Sequence, residues 1–237
     1  MTQAAIEALA DDAWLIRLGE TMHPTVNAGV HRLAASIRQA APEWLRGLSP
    51  AYASLGVYFD PERASPDDVR AWLAKAIGAA DAGSTARTDD HNDHDCVRIV
   101  EIPVAYGEDF GADFVSAART LDLPAQALIE RHCAPLYQVA MIGFAPGFPY
   151  LLGLDPTLTL PRLSTPRTHV PAGSVAIGGA QTGIYPRASP GGWRLIGRTP
   201  LRMFEPSRAP PALLRPGDRV RFRAISADEF AILAAAA

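Results

Sequence analysis

Residues 143–199 constrain this chain more than any other stretch: they read GFAPGFPYLLGLDP and then TPRTHVPAGSVAIGGAQTGIYPRASPGGWRLIGRT. Glycine and proline crowd the segment, yet Phe144, Phe148, Tyr150, Val175, Ile177, Trp193 and Ile196 run through it. A disordered linker lacks such aromatic and β-branched residues. Glycine admits positive φ or close backbone approach, and proline fixes φ. The combination predicts short strands joined by tightly shaped loops, the kind of loop that carries function on a rigid scaffold.

The chain has 237 residues, enough for one large or two small domains. Its first part alternates strand and helix patterns. Trp14–Leu18 and Tyr52–Phe59 read as strands, while Val26, Val30, Leu33 and Ile37 share one helical face. A second helix opens with Ser65 as N-cap, Pro66 in the first turn and Asp67 and Asp68 behind it. This order predicts a small α+β unit over residues 1–80. Residues 81–95 are small and polar and read as a linker. His91, Asp93 and His94 within it are loosely spaced on solvated chain, and no metal site is expected. A second domain, 96–237, opens with the strand VRIVEIPV. Helices around Asp113–Thr120 and Pro124–His132 follow, then an apolar strand from Tyr137. After the glycine-rich region, a Pro-Gly-Asp turn leads into the strand holding Val220 and Phe222. Ser226 and Glu229 form a capping box for a last helix. Many short strands with tight turns predict a β-barrel.

Several function classes are excluded. The net charge of −3 offers no nucleic-acid footprint, and no apolar run is long enough to span a bilayer. The first residues carry Glu7, Asp11 and Asp12 and lack the basic region of a signal peptide, so a cytoplasmic location is expected. Cys96 and Cys133 lack metal-ligand spacing and read as reduced thiols. Lys75 is the only lysine beside 21 arginines, which leaves no candidate for a Schiff base or a phosphate-binding lysine in the glycine-rich region.

Between residues 141 and 204 the only carboxylate is Asp155 and the only histidine is His169. A Ser174–His169–Asp155 triad can be drawn, but no nucleophile elbow is present. The region is rich instead in hydrogen-bond donors. Arg167, Arg187, Arg194 and Arg198 suit carboxylate or phosphate oxygens. Backbone amides of Gly178, Gly179 and Gly183 are expected to line an anion site. Gln181 suits an amide, and Tyr185 adds a hydroxyl. His169 is the expected proton carrier. The aromatics Phe144, Phe148, Tyr150 and Trp193 are expected in a core or at a subunit contact.

The runs GFAPGFPYL, TPRTHVPAGSVAIGGAQTGIYP and PGGWRLIGRTP resemble the KipI / allophanate hydrolase subunit 1 family, and the resemblance covers essentially the whole chain. It implies a ferredoxin-like N-terminal domain and a cyclophilin-like β-barrel domain. It implies service as one subunit of an ATP-dependent 5-oxoprolinase, which opens the lactam of 5-oxoproline to glutamate. ATP then acts at the level of the complex, and no cofactor is held covalently by this chain. The implied partners are a KipA / allophanate hydrolase subunit 2-type protein and a LamB/YcsF-type subunit. Other members imply two alternatives: inhibition of a sensor histidine kinase, or a carboxyltransferase component of a urea amidolyase-type enzyme.

Overall fold

The computed structural model describes residues 4–85, 98–107 and 109–236. His91, Asp93, His94 and Cys96, with most of the expected linker, lie outside the described residues. The chain divides into two compact units, Met1–Cys96 and Val97–Ala237.

The first unit contains β1 (Ala5–Ala10), β2 (Ala13–Arg17), α1 (Pro24–Ala40), β3 (Leu45–Pro50), β4 (Ser54–Phe59) and α2 (Pro66–Thr85). Helix α2 continues past the boundary expected at residue 80. The strands form one sheet in the order β1-β2-β4-β3, every pair antiparallel. A β-α-β-β-α-β sandwich takes its last strand from beyond the second helix. Here the strand beside β2 is β1, supplied from ahead of the first helix. Both helices cover one face: Val30, Leu33 and Ile37 of α1 and Val69 and Leu73 of α2 pack with Ile16, Leu55, Val57 and Phe59 of the sheet. Ser65 caps α2 as expected, its Oγ accepting from the Asp68 amide at 3.2 Å.

The second unit holds β5 (Ile99–Tyr106), α3 (Phe114–Thr120), α4 (Ala125–Cys133), β6 (Tyr137–Ile142), β7 (Pro149–Leu152), β8 (Arg167–Val170), β9 (Ser174–Gly178), β10 (Gln181–Ile184), β11 (Ser189–Gly191), β12 (Arg194–Arg198), β13 (Arg219–Ile225) and α5 (Ala227–Ala236). Seven strands close into the expected barrel, in the order β10-β7-β6-β13-β5-β12-β9. Strands β5 and β13 run parallel; the other pairs are antiparallel. Strands β8 and β11 make a separate two-stranded ribbon. Ser226 opens α5 by accepting from the Glu229 amide at 3.1 Å. The other half of the expected capping box is replaced, because the Glu229 carboxylate pairs with Arg223 at 2.8 Å.

Side chains alternate across each barrel strand, as pleating requires. Val175 and Ile177 of β9 and Ile196 of β12 join the interior core with Ile102, Val139, Leu151 and Phe222. Their neighbours Ala176 and Leu195 join a separate cluster with Ala145, Phe148, Val170, Tyr185 and Trp193. The glycine-rich motifs therefore build a second, aromatic core on the outer wall of the barrel. No helix among the described residues is long and apolar enough to cross a membrane.

Candidate functional site

The aromatic cluster is arranged edge to face. Phe148 meets Tyr185 at a centroid distance of 5.2 Å and Trp193 at 5.6 Å, with ring planes near perpendicular. Tyr150 stands 4.9 Å from Phe148 and 5.9 Å from Trp193. Two glycines make room for these rings. A Cβ on Gly178 would lie 2.5 Å from the Trp193 indole, and one on Gly191 would lie 2.3 Å from the Tyr185 hydroxyl. The motif glycines thus serve close packing of aromatics against the barrel wall.

The cluster stops short of filling its space. A cavity of about 190 Å³ opens over it, between the ring faces, the loop ahead of β8 and the end of the β8–β11 ribbon. Phe144, Phe148, Tyr150, Tyr185 and Trp193 form its aromatic walls, and Arg162 brings its one formal charge. The loop carrying Arg162 is tied down on both sides. The Leu163 amide donates to Gly192 O at 2.7 Å, and Arg194 Nε donates to Pro161 O at 3.2 Å. From this braced loop the exposed Arg162 side chain places its guanidinium 5.6 Å from the Trp193 ring centroid, within cation–π range.

Both phenols at this cavity are held neutral. Burial pushes Tyr185 above the usual tyrosine range, opposed by the Trp193 amide donating to its oxygen. Burial likewise raises Tyr150, opposed by the positive charge of Arg162. Tyr185 lines the cavity with a neutral phenol, which can donate as well as accept. The cavity presents flat apolar walls, neutral O–H groups and a cation. A second cavity of about 230 Å³, lined by Pro146, Pro186, Arg187, Phe204 and Pro206, lacks those hydroxyls.

The expected site residues are dispersed. Tyr185 lines the cavity. Arg167 does not reach it as a free cation: its guanidinium grips the buried Asp113 carboxylate through two bonds of 2.9 and 2.7 Å. Asp113 also accepts from the Leu195 amide at 2.8 Å, so this pair pins β8 to β12. Arg198 donates to Ala172 O at 2.8 Å, bracing the turn ahead of β9. Gly178 lies beneath Trp193. The Gly179 amide donates to Leu160 O at 2.7 Å, so that N–H is spent on a backbone bridge and does not face an anion. Gln181 begins β10, half-buried, and His169 stands exposed on β8. The triad is not assembled: Ser174 is buried, and Asp155 accepts from both the amide and the hydroxyl of Thr157 as the cap of a short turn.

Two features give no signal in the sequence. Arg162 carries no motif; its importance arises only from the loop bonds to Gly192 and Arg194. His132, at the end of α4, is wholly buried in the barrel. Its Nε2 stands 3.0 Å from Thr182 Oγ1, and the Thr182 hydroxyl donates to Ala176 O. Thr182 must therefore accept from Nε2–H, leaving Nδ1 to accept from the Tyr106 hydroxyl at 2.8 Å. Burial pushes the His132 pKa down to about 3, so the ring is neutral and structural.

Known proteins share this architecture. The family described as carboxyltransferase domain, subdomain C and D, matches residues 4–214. A Bacillus subtilis protein, named as the B component of 5-oxoprolinase, is 41% identical over 229 residues, 95% of this chain and 94% of that one. The structure of the Pyrococcus horikoshii protein PH0987 is 43% identical, with a TM-score of 0.55, over 95% of this chain and all of the other. The structure of TTHA0988 is 38% identical with a TM-score of 0.76, and there 91% of this chain spans 40% of a longer protein.

Proposed function

The chain belongs to the carboxyltransferase-domain family of subdomains C and D, and from that premise we propose that it is the B component of an ATP-dependent 5-oxoprolinase. The match to the Bacillus subtilis protein, which extends over nearly all of both chains, carries this reading. The full reaction converts 5-oxoproline, water and ATP to glutamate, ADP and phosphate. ATP activates the lactam carbonyl in the assembled complex, and water then opens the ring. The partners are a KipA-type protein and a LamB/YcsF-type protein.

The chemistry of the chain fits a contributing role. Among the described residues there is no metal-binding cluster of His, Cys, Asp and Glu, and no carboxylate lines the aromatic cavity. The barrel unit binds and orients; it lacks a paired acid and base there. His169 is exposed on β8, and on this reading it is the group that transfers a proton.

The test is 5-oxoproline-dependent release of ADP. The purified chain alone is expected to be silent, and the mixture with both partners active. Associated, folded subunits that release no ADP would overturn the assignment and favour the kinase-inhibitor or urea-type alternatives. Activity from this chain alone would refute its role as an incomplete, binding component.

A further inference from the structure

We propose that Arg162 is the carboxylate receptor of the aromatic cavity and so determines its specificity for a flat cyclic amide bearing an acid group. This rests on the 5-oxoprolinase reading and adds to it a residue and a binding mode. Among the described residues, no carboxylate stands within ion-pair distance of Arg162, and of the arginines without such a partner it is the one that lines the aromatic cavity. The backbone on either side of it is fixed by the Leu163–Gly192 and Arg194–Pro161 bonds, and its guanidinium lies over the face of Trp193. A cation pre-organised at the mouth of a largely apolar cavity lacks one partner, an anion. Guanidinium suits carboxylate because its planar fork matches two oxygens at once.

The walls define the rest of the ligand. Trp193, Phe148 and Tyr150 present apolar rings against which a small planar ring packs. The Tyr185 phenol lines the same cavity and can donate its proton to a lactam carbonyl. The space, about 190 Å³, suits a metabolite-sized ring and is small beside the usual cavity for a drug-sized molecule. Phe144 is 63% exposed and lies edge-on to Phe148 and Tyr185, closing one side.

The experiment uses Arg162→Gln and Arg162→Lys in two arms. In the assembled complex, Arg162→Gln is expected to raise KM for 5-oxoproline about tenfold or more, with kcat changed far less and with partial recovery in Arg162→Lys. An unchanged KM in an active complex overturns the proposal while leaving the 5-oxoprolinase assignment standing. The second arm does not depend on turnover. Trp193 is the only one of the chain's four tryptophans in the second unit, so a ligand-dependent change in emission that is lost in Trp193→Phe reports the cavity. Wild type is expected to bind 5-oxoproline at least about tenfold more tightly than 2-pyrrolidinone, the same lactam without its carboxylate, and Arg162→Gln is expected to abolish that preference. Equal responses to the two lactams, or none, overturn the proposal even if the complex hydrolyses 5-oxoproline. The carboxylate preference in a chain whose complex is inactive would uphold the subsite and sink the 5-oxoprolinase reading.

Discussion

Gly178 lies directly beneath the indole of Trp193, where a Cβ would stand 2.5 Å from the ring. The glycine is in the barrel wall, fully buried, with no positive φ to explain it. Close approach is its reason. In Gly178→Ala either Trp193 is lifted or β9 is displaced. Overpacking of this kind costs about 1–3 kcal/mol, read as a lowered urea midpoint. The Trp193 emission should shift to the red in the same variant, because the lifted ring meets water. A variant with wild-type stability and emission would contradict this packing.

Arg167 and Asp113 form a second fixed relationship, one that joins the outer ribbon to the barrel. The Asp113 side chain is 7% exposed and that of Arg167 29%. Arg167→Met leaves a buried carboxylate with the Leu195 amide as its remaining donor. Breaking such a pair costs about 3–5 kcal/mol when both partners are buried, and the partial exposure of Arg167 places the loss near the lower end. Asp113→Asn combined with Arg167→Met should recover part of it, because no unpaired charge stays buried. Chemical unfolding of the two single variants and the double variant measures the coupling. Additive losses would show that the two side chains do not act as a unit.

What is legible in the sequence follows from how local each signal is. The α1 stripe of Val30, Leu33 and Ile37 and the Ser65 cap depend on residues within a few positions, and both appear in the fold. Strand β1 does not announce itself: AIEALA is dominated by helix formers and mostly exposed, and it is a strand because it pairs with β2. Strand β3 is similarly masked by Gly47 and Pro50. The glycine-rich motifs line the aromatic cavity, but Gly178 and Gly179 serve packing and a backbone bridge in place of the expected anion site. Their neighbours in the fold, Trp193 and Leu160, take up the space or the hydrogen bond. Arg167 reads as a ligand-binding cation because its partner Asp113 is remote in sequence. Arg162 reads as nothing, because its support comes from Gly192 and Arg194. Pairings made by barrel closure leave no trace in a local pattern.

His132 predicts how the second unit responds to acid. In an unfolded chain a histidine titrates near about 6.5, whereas burial holds His132 down to about 3. Below about pH 6.5 the unfolded chain takes up a proton that the folded barrel refuses. The contribution is therefore full above that pH and is lost progressively as pH falls towards the folded value, at up to about 1.4 kcal/mol per pH unit. Depressed carboxylates such as Asp155 add their own acid loss only at lower pH. His132→Gln retains an amide donor for Thr182 but does not titrate. It should be less stable than wild type at neutral pH, with a shallower fall between about pH 6 and 4.5. Urea unfolding across that range decides the matter; parallel slopes would mean that His132 is not the group responsible.

Phe144 occupies the left-handed region at φ 65° and is nevertheless 63% exposed. Few aromatic residues adopt this conformation, which costs about 1–2 kcal/mol for an ordinary L-residue. The ring is mostly exposed and makes T-shaped contacts with Phe148 and Tyr185. Phe144 lines the aromatic cavity, and in the proposed binding mode the constrained backbone fixes its ring over a ligand lying on Trp193. Asparagine tolerates left-handed backbone without offering a ring. Phe144→Asn should therefore unfold at the wild-type urea midpoint or slightly above it. KM for 5-oxoproline in the assembled complex should rise about several-fold, with a matching loss of Trp193 response in the purified chain. A variant that is destabilised yet binds 5-oxoproline normally would mean that Phe144 serves packing alone.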